Sequence, residues 1–384
     1  MNDFDQTYNM LNEAQRQAVD AIEGPVMVVA GPGTGKTQIL TLRIANILRL
    51  TDTEPESILA LTFTEAAVAN MRKRLAGLIG SAAYRVKIAT FHGFANDQIQ
   101  SYPEFFPNII GASAMTDVDQ LEYIRQVILD TELDVLKPFG DTFLYVRPII
   151  SAINTLKREG VTPNHFHSLV AREQESFDNL EDVYYEKGAH KGKMKGKYQA
   201  LQKKIVKNAE LARVYEAYQD AIRGAKKYDF SDMIIELVQA LANDQEFLLT
   251  LQEHYQYFLV DEHQDTNNAQ NQLLELLANF HASPNLFVVG DEKQSIFRFQ
   301  GASVENFFYF RDRYPDAQLV TLTDNYRSTQ AVLDSGESLI AGAVPLVAQT
   351  GGAGAPIEVV AYPSRADEVA GVVDRIKTQI TEST

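Results

Sequence analysis

Short apolar runs alternate with helix-periodic segments over the first ninety residues of the chain. Pro25–Ala30, Ile58–Thr62 and Val86–Thr90 are apolar or β-branched runs of strand length. Between them, apolar side chains recur at helical spacing and predict helices over Thr37–Leu48 and Glu65–Ile79. Such alternation is typical of a parallel sheet that carries helices on both faces. We therefore predict an α/β fold for this part of the chain.

The pattern changes between Ala95 and Ala225, where long polar helical stretches replace the apolar runs. Strand-like runs return at Tyr257–Val260 and Leu286–Val289, which indicates one α/β domain interrupted by a mostly α-helical inserted domain. A further strand is predicted at Ile357–Ala361, after a glycine-rich loop. The predicted layout is a first lobe over 1–94 and 226–316, a helical insertion over 95–225, and the incomplete start of a second lobe over 317–384.

The composition is that of a globular protein. The 384 residues are 45% apolar and 22% charged. The absence of Cys excludes a disulfide scaffold, a thiolate zinc site and a Cys nucleophile. The N-terminal residues lack the pattern of a signal peptide, and no apolar run approaches the roughly 20 residues that span a bilayer. We expect a soluble, cytoplasmic protein with no membrane partner.

The charge is distributed unevenly along the chain. The net charge of −16 by itself argues against a nucleic-acid partner, because phosphate backbones favour basic surfaces. However, the block from Lys187 to Lys227 contains twelve Lys and Arg residues against three Asp and Glu residues. Two interpretations remain open for this block: a solvated loop, or a patch that meets a polyanion.

A glycine-rich segment lies between the first predicted strand and the following helix. It consists of Ala30, Gly31, Pro32, Gly33, Thr34, Gly35, Lys36 and Thr37. Glycines allow successive backbone N–H groups to surround phosphates, and the helix N-terminus adds a positive dipole. Lys36 would then reach the β- and γ-phosphates, and the Thr37 hydroxyl would bind Mg²⁺. The strict pattern has Gly where Ala30 stands, and a simple turn before a helix is the alternative interpretation.

Acidic and polar residues follow two of the later strands. Asp261 and Glu262 end the run that begins at Tyr257, where one carboxylate can hold Mg²⁺ and the other can polarise an attacking water. Gln294 follows the next strand and could sense a γ-phosphate. Each of these segments alone could be an exposed polar loop, but together with the glycine-rich segment they predict a nucleotide-hydrolysing site.

Eight short motifs occur in order along the chain. They are LNEAQ (11–15), AGPGTGKT (30–37), LTFT (61–64), TFHG (90–93), YDFSD (228–232), VDEHQDTN (260–267), GDEKQSI (290–296) and NYRS (325–328). This set resembles the UvrD/Rep-type superfamily 1 DNA helicases. The resemblance covers the α/β parts almost throughout, whereas the insertion matches mainly in position. It implies a RecA-like P-loop NTPase fold, with ATP and Mg²⁺ as cofactors.

The resemblance also implies roles in the ATP site. Gln15 is similar to the residue that reads the adenine edge, Asp261 to a Mg²⁺ ligand and Glu262 to the general base. Tyr326 resembles a base-stacking aromatic. Gln294 resembles the residue that couples the γ-phosphate to DNA, and Arg327 resembles a γ-phosphate arginine delivered from the second lobe. A charge that arrives only on lobe closure stabilises the transition state more than the ground state.

Single-stranded DNA is the partner that the resemblance implies, together with junctions of single and double strands. Phe63, Phe297 and Phe299 would stack on bases, and stacking of this kind tolerates any sequence. The backbone contacts would come from Thr64, Thr90 and His92. Alternatively, Phe63 and Phe297 are core residues and His92 is a structural histidine.

Four positions depart from the pattern of the family. Gln38, counted here with the ATP-binding residues, replaces an Arg that stacks on adenine, and Glu65 replaces an Asn beside the phosphate chain. Phe299 replaces a Trp and Gln300 replaces an Arg. The later motifs of the family do not occur before Thr384, so we expect the chain to be an N-terminal piece of a longer protein.

The sequence thus predicts an ATP-dependent DNA helicase or translocase, with 3′→5′ polarity implied by the resemblance. One alternative is the motor part of a helicase–nuclease of the RecB or AddA kind. The other is a fragment that binds nucleotide and DNA without turnover. The DNA pathway and the oligomeric state do not follow from the sequence.

Overall fold

The computed structural model describes residues 3–187, 190–294, 305–339, 344–352 and 354–382. The chain divides into two compact units. The first unit comprises Met1–Gly31 and Gly35–Leu322, and the second comprises Pro32–Thr34 and Thr323–Thr384.

A parallel sheet forms the centre of the first unit. The strands of this unit are β1 (Val26–Ala30), β2 (Ile58–Thr62), β3 (Lys87–Thr90), β4 (Ser113–Ala114), β5 (Lys227–Tyr228), β6 (Tyr257–Val260), β7 (Leu286–Gly290) and β8 (Gln318–Leu322). Six of them build the main sheet in the order β3-β2-β6-β7-β1-β8, and every neighbouring pair is parallel. The carboxyl ends of these strands therefore share one edge, where Lys36, Phe63, His92, Asp261 and Asp291 follow β1, β2, β3, β6 and β7.

Helices cover both faces of the sheet. One face carries α1 (Asp3–Asn9), α2 (Glu13–Asp20), α3 (Lys36–Leu50) and α4 (Glu65–Ile79), and the other carries α5 (Phe91–Ser101), α10 (Asp232–Asn243), α11 (Gln245–His254), α12 (Asn268–Ala278) and α13 (Glu305–Arg313). Successive strand residues point to opposite faces, so Leu59 and Leu61 pack in one core while Ile58 and Ala60 pack in the other. The predicted α/β fold with a parallel sheet is confirmed.

Four helices between β4 and β5 build a separate core. They are α6 (Asp117–Asp130), α7 (Val146–Arg158), α8 (Pro163–Asp178) and α9 (Gly196–Gly224). Their apolar faces enclose Ile128, Ile153 and Tyr215, and the Glu210 carboxylate accepts hydrogen bonds from the backbone N–H groups of residues 134–136. By contrast α5, which spans the predicted boundary at residue 95, packs with the sheet through Phe94 and Ile99.

In its described residues, the second unit contains two short paired strands and two helices. These are β9 (Asp324–Asn325), β10 (Val347–Ala348), α14 (Gln330–Glu337) and α15 (Arg365–Glu382). The first unit extends to Leu322, further than the predicted end at 316, because β8 pairs with β1 along its whole length.

The prediction of a strand at Ile357–Ala361 is wrong. These five residues are exposed and carry no strand assignment. An apolar run becomes a strand only when a neighbour supplies hydrogen bonds and a surface to pack against. Within the described parts of the chain, no helix is both long and apolar enough to cross a membrane.

Candidate functional site

The glycine-rich segment ends at the N-terminus of α3. Gly35 caps this helix with φ = 94°, a conformation that favours glycine, and it offers no side chain to the first turn. The carbonyl oxygen of Gly35 accepts hydrogen bonds from the N–H groups of Gln38 and Ile39 at 2.9 and 3.0 Å. A Cβ atom on Gly35 would lie 2.9 Å from Gln15 Nε2. Because Gly35 has no Cβ, the Gln15 amide can lie directly against the start of α3, and the N-terminus of a helix favours phosphate groups.

Gln15 is buried at the start of α2, beside this turn. Its Oε1 accepts the N–H of Asn12 at 3.1 Å, and its own N–H donates to Asn12 Oδ1 at 2.8 Å. This capping box holds the side chain in place, so that its amide group faces Gly35. Gln15 thus lies next to the glycine-rich segment, and its role in reading the adenine edge stays a prediction.

Lys36 and Glu262 form an ion pair across the sheet edge. Lys36 Nζ lies 2.9 Å from Glu262 Oε2, and the Lys36 side chain is only 11% exposed. Glu262 follows β6 in a left-handed conformation, with φ = 52°. Such a backbone costs a non-glycine residue about 1–3 kcal/mol and is found most often at functional sites. Gln264 Nε2 also donates to Glu262 Oε2 at 2.9 Å, which fixes the carboxylate.

Two buried carboxylates next to this pair hold protons more tightly than usual. Burial, followed by repulsion from Glu262, raises the pKa of Asp261 to about 7. The same causes raise the pKa of Asp265 to about 6. Lys36 opposes both shifts. A site that crowds carboxylates in this way gains from a cation, which would remove the repulsion.

The donors at this edge fit a Mg²⁺ ion that arrives with a nucleotide. Within the described residues, no three His, Asp or Glu side chains are grouped to hold a metal alone. Mg²⁺ commonly uses one or two carboxylates and completes its shell with phosphates and waters. Asp261 at the end of β6 and the Thr37 hydroxyl at the start of α3 provide donors of this kind.

A glutamine that the sequence analysis gave no role joins the ends of β6 and β7. Gln264 is buried, and its Oε1 accepts the N–H of Asp291 at 2.9 Å. Gly290 has no Cβ that would collide with this amide oxygen. Gln294 Nε2 donates to Asp291 Oδ2 at 2.9 Å. Gln294 is thus held near the acidic loop through a chain of hydrogen bonds.

The second unit brings the predicted Tyr326 and Arg327 onto a short turn. Asn325 Oδ1 accepts the N–H groups of Arg327 and Ser328 at 2.9 and 2.7 Å. Within the same unit, Asn325 Nδ2 donates to Pro32 O, and the N–H of Tyr326 donates to Gly33 O at 2.9 Å. The side chains of Tyr326 and Arg327 are exposed. Asn325 is a structural anchor that received no role in the sequence analysis.

A groove of about 320 Å³ lies over the ends of β2 and β3. Its lining combines aromatic, basic and polar side chains, among them Phe63, Glu65, Thr90, His92, Arg158 and Phe230. The rings of His92 and Phe230 stack with centroids 3.7 Å apart and an angle of 18°. Phe230 is nevertheless 65% exposed, so its second face is available to a ligand.

The two threonines predicted to touch a DNA backbone are N-caps of helices. Thr64 is exposed and accepts the N–H of Ala67 at 3.1 Å at the start of α4. Thr90 is buried, accepts the N–H of Gly93 at 3.0 Å, and donates to Glu65 Oε1 at 2.9 Å. The Thr90 hydroxyl is therefore already engaged in this structure, and Glu65 brings a carboxylate to the groove.

His92 is neutral in this environment. Burial, followed by repulsion from Arg158, lowers the pKa of His92 to about 4. The ring therefore acts as a flat stacking surface and a neutral hydrogen-bonding group at physiological pH. Phe297 and Phe299 lie outside the described residues, as does Gln300.

Comparison with known proteins matches this arrangement to one family. The model of the UvrD/REP helicase N-terminal domain family matches residues 11–315. The chain belongs to the UvrD/REP helicase family. The match covers both the sheet edge with Lys36 and Glu262 and the groove around His92.

Relatives of known name agree with the family assignment. DNA helicase II of Escherichia coli is 32% identical over 379 residues, which are 96% of this chain and 46% of the relative. ATP-dependent DNA helicase PcrA of Staphylococcus epidermidis is 33% identical over 86% of this chain and 40% of its own length. ATP-dependent DNA helicase UvrD1 of Mycobacterium tuberculosis is 33% identical over 88% and 40%. The chain thus spans under half the length of these relatives.

Two groove residues were missed by the sequence analysis. Phe230 belongs to the YDFSD motif, where an aromatic residue between polar ones was the available signal. Arg158 follows the buried Lys157 at the end of α7, and nothing in its local sequence distinguishes it from a surface arginine. Only the fold brings α7 next to β3, because 55 residues separate the two elements in the chain.

The basic block of the sequence is less positive in space than along the chain. Its first part, up to Lys207, packs on α8 and the turn after it through Phe177, Val183 and Ile205. Between residues 173 and 207, eight Lys residues are accompanied by six Asp and Glu residues. Lys195 pairs with Asp182 at 2.5 Å, and Lys204 pairs with Glu173 at 3.3 Å. The acidic partners weaken the field that would attract a polyanion.

Proposed function

We propose that this chain carries the ATP-hydrolysing and single-strand-binding part of a DNA helicase that moves 3′→5′. The Lys36–Glu262 pair is the observation that carries the proposal. It places Nζ of the candidate phosphate-binding lysine 2.9 Å from Oε2 of the candidate general base. The groove around His92 opens on the same edge of the sheet, which allows nucleotide and DNA to act on one rigid element. The family assignment supports both parts.

In the nucleotide site, we assign charge compensation to Lys36 and activation of water to Glu262. An incoming β- or γ-phosphate competes for the Lys36 ammonium and so releases the Glu262 carboxylate from the ion pair. The buried Asp261 and the Thr37 hydroxyl would hold Mg²⁺, and its charge would stabilise the transferring phosphoryl group when it is bound. Gln15 reads the base, and residues 30–38 surround the phosphates.

The remaining ATP-site roles are carried by residues that respond to the nucleotide. Gln294 would sense the γ-phosphate from the end of β7, where Asp291 holds it. Arg327 and Tyr326 would contact the nucleotide from the turn that Asn325 fixes. We propose that Tyr326 and Arg327 belong to a second motor lobe that begins after Leu322, whereas Gln294 belongs to the first lobe. Residues 95–225 are an inserted domain of that first lobe.

In the groove, we assign stacking to Phe63 and Phe230 and backbone contacts to Thr64, Thr90 and His92. An aromatic face stacks on any base and contributes roughly 1–3 kcal/mol per base, which suits binding without sequence preference. Arg158 adds a positive charge at the groove, where a phosphate would pass. Phe297 and Phe299 remain proposed DNA contacts.

Steady-state ATP hydrolysis with and without an oligo-dT strand tests this function. We expect turnover that depends on Mg²⁺, rises when the strand is added and disappears in Lys36→Ala. The variant Lys203→Ala changes an exposed lysine on α9 and serves as the matched control. Nucleotide binding without turnover would overturn hydrolysis by this chain and leave a binding module. Absence of nucleotide binding would overturn the site itself.

A further inference from the structure

A buried lysine connects the two walls of the groove. Lys157 lies in the last turn of α7, and its side chain is completely buried. Its Nζ atom lies 2.5 Å from Asp229 Oδ2 and 2.6 Å from Asp232 Oδ1. The lysine comes from the helical segment between β4 and β5, whereas both carboxylates belong to the turn that begins α10. The ion cluster therefore bridges two parts of the chain that are about seventy residues apart in sequence.

All four oxygens of the two carboxylates are hydrogen-bonded. Asp229 Oδ1 accepts the N–H groups of Ser231 and Asp232 at 3.1 and 3.2 Å, and Asp232 Oδ2 accepts the N–H of Asp229 at 2.9 Å. Besides Lys157, Asp229 Oδ2 accepts the Tyr218 hydroxyl at 3.0 Å and Asp232 Oδ1 accepts Gln219 Nε2 at 3.1 Å. The turn 229–232 is thus specified by its own backbone and by α7 and α9.

A buried ion cluster can specify geometry even where it adds little net stability. Burial of an ion pair contributes little net stability compared with apolar side chains of the same volume, because desolvation offsets the attraction. Such a cluster can instead specify one arrangement of the chain. The residues beside it are the ones that the groove uses: Arg158 follows Lys157, and Phe230 follows Asp229.

Phe230 depends on this cluster for its position. It is largely exposed, and the ring contact that the structure records for it is the stack on His92. The backbone on both sides of Phe230 is fixed by the hydrogen bonds of Asp229 and Asp232. If the ammonium group were removed, two buried carboxylates would face each other without a counter-charge, and the turn that carries Phe230 would rearrange.

We propose that Lys157 is a positioning residue that bridges Asp229 and Asp232, and thereby holds Phe230 against His92 in the groove that Arg158 also lines. The part of this proposal that concerns DNA rests on the proposed function. The part that concerns the position of Phe230 and Arg158 does not, and it can be measured in the absence of DNA.

The test compares Lys157→Met with the parent chain and with Lys203→Met, an exposed lysine-to-methionine control on α9. The first readout is the pKa of His92 by NMR titration of the histidine ring protons, with His92→Gln to identify its signal among the seven histidines. In the parent chain this pKa lies at about 4. We expect it to rise by at least about one unit towards the ordinary value near 6.5 in Lys157→Met. Lys203→Met leaves it unchanged.

The second readout is the affinity for a fluorescent oligo-dT strand. We expect the dissociation constant to rise about tenfold in Lys157→Met, because a tenfold change corresponds to the loss of stacking on roughly one base. The affinity for ATP should stay within about twofold of that of the unmodified chain. Asp229→Asn keeps the shape of the turn and removes one charge from the bridge. We expect Asp229→Asn to shift the pKa of His92 and the dissociation constant in the same directions as Lys157→Met. If Lys157→Met does not fold, Asp229→Asn alone tests the positioning role.

The two readouts separate the two possible failures. A His92 pKa that stays at its parent value in a folded Lys157→Met or Asp229→Asn would overturn the positioning role. The other failure is that the unmodified chain does not bind the strand at all, while the pKa of His92 still shifts as expected in the variants. That result would support the positioning role and overturn the DNA-binding function instead. Equal loss of ATP and DNA binding would show that the cluster only maintains the fold, and would overturn the proposal.

Discussion

Lys36 and Glu262, whose charged atoms lie 2.9 Å apart, join the ends of β1 and β6 although more than two hundred residues separate them in the chain. In the order of the sheet, β7 lies between these two strands. The pair therefore spans the width of one intervening strand at the carboxyl edge. Glu262 reaches Lys36 from a left-handed backbone conformation that is unfavourable for glutamate. This combination of charge pairing and backbone strain is the most specific feature of the candidate site.

Gly35→Ala should weaken nucleotide binding with a modest loss of stability. The residue has φ = 94°, and a Cβ atom would lie 2.9 Å from Gln15 Nε2, so alanine introduces strain and displaces the amide. We expect ATP affinity to fall at least tenfold and the free energy of unfolding to fall by about 1–2 kcal/mol. Fluorescent-nucleotide titration and thermal melts measure the two effects.

Gly77→Ala is the matched control for this substitution. Gly77 lies inside α4, and a Cβ atom there meets nothing within 4 Å. Alanine should leave nucleotide affinity unchanged and stabilise the helix by up to about 1 kcal/mol. If both glycine variants reduced ATP affinity equally, the special geometry of Gly35 would not be responsible.

The main sheet and its motifs could be predicted from the sequence because buried parallel strands read as short apolar runs. Val26–Ala30, Ile58–Thr62 and Tyr257–Val260 are strands at or within one residue of their predicted bounds. The helix Glu65–Ile79 has its predicted bounds, which follow from apolar side chains at helical spacing. Local signals suffice where the element is fixed by its own pattern.

Non-local features escaped prediction. The apolar run Ile357–Ala361 has the composition of a strand, but its residues are exposed and form no strand. By contrast, Gln318–Leu322 belongs to the first unit because it pairs with β1. Phe230 and Arg158 become groove residues only because α7 and the turn before α10 fold beside β3. Pairing partners and tertiary neighbours of this kind are not encoded in a single window of sequence.

Phe230→Ala should weaken binding of single-stranded DNA selectively. The ring stacks on His92 and exposes its other face to the groove, so alanine removes a stacking surface. We expect the dissociation constant for oligo-dT to rise about 5- to 100-fold, with ATP affinity unchanged. Phe280→Ala, another exposed phenylalanine that lies outside the groove, is the control in the same anisotropy titration. Equal effects of the two variants would argue against the groove as the DNA site.

Glu65→Gln should strengthen DNA binding. The Glu65 carboxylate lies in the groove and accepts a hydrogen bond from Thr90 at 2.9 Å, which a glutamine oxygen can also accept. Removal of one negative charge beside a phosphate chain should lower the dissociation constant about two- to fivefold at low salt, and less at high salt. An affinity that stays unchanged at every salt concentration would mean that no phosphate passes near Glu65.

Asp261→Asn should stabilise the protein without ligand, and more so at higher pH. Because burial raises the pKa of Asp261 to about 7, the folded state takes up a proton between about pH 4 and 7 that the unfolded state has released. The free energy of unfolding of the unmodified protein therefore falls as pH rises through this window. The asparagine variant has no titrating carboxyl at position 261, so it lacks this contribution to the pH dependence. We expect a difference of about 2–4 kcal/mol between the two proteins at pH 8, and a smaller one at pH 5.

Denaturant unfolding at the two pH values measures this difference. The same variant should bind Mg²⁺–ATP more weakly than the parent, since a neutral amide replaces the charged ligand. A stability difference that is constant from pH 5 to 8 would show that the pKa of Asp261 is not raised. Burial and repulsion from Glu262 would then not explain the properties of the site.

The central claim concerns Lys36 and Glu262, and it is tested most directly by ATP binding and DNA-stimulated hydrolysis measured side by side in Lys36→Ala and Glu262→Gln. We predict that Lys36→Ala loses both, because the phosphates lose their counter-charge. Glu262→Gln should bind ATP within a few-fold of the parent while turnover falls about 10²- to 10⁴-fold, the usual contribution of a general base. Loss of binding and turnover together in Glu262→Gln, or turnover near the parent rate in either variant, would contradict the claim.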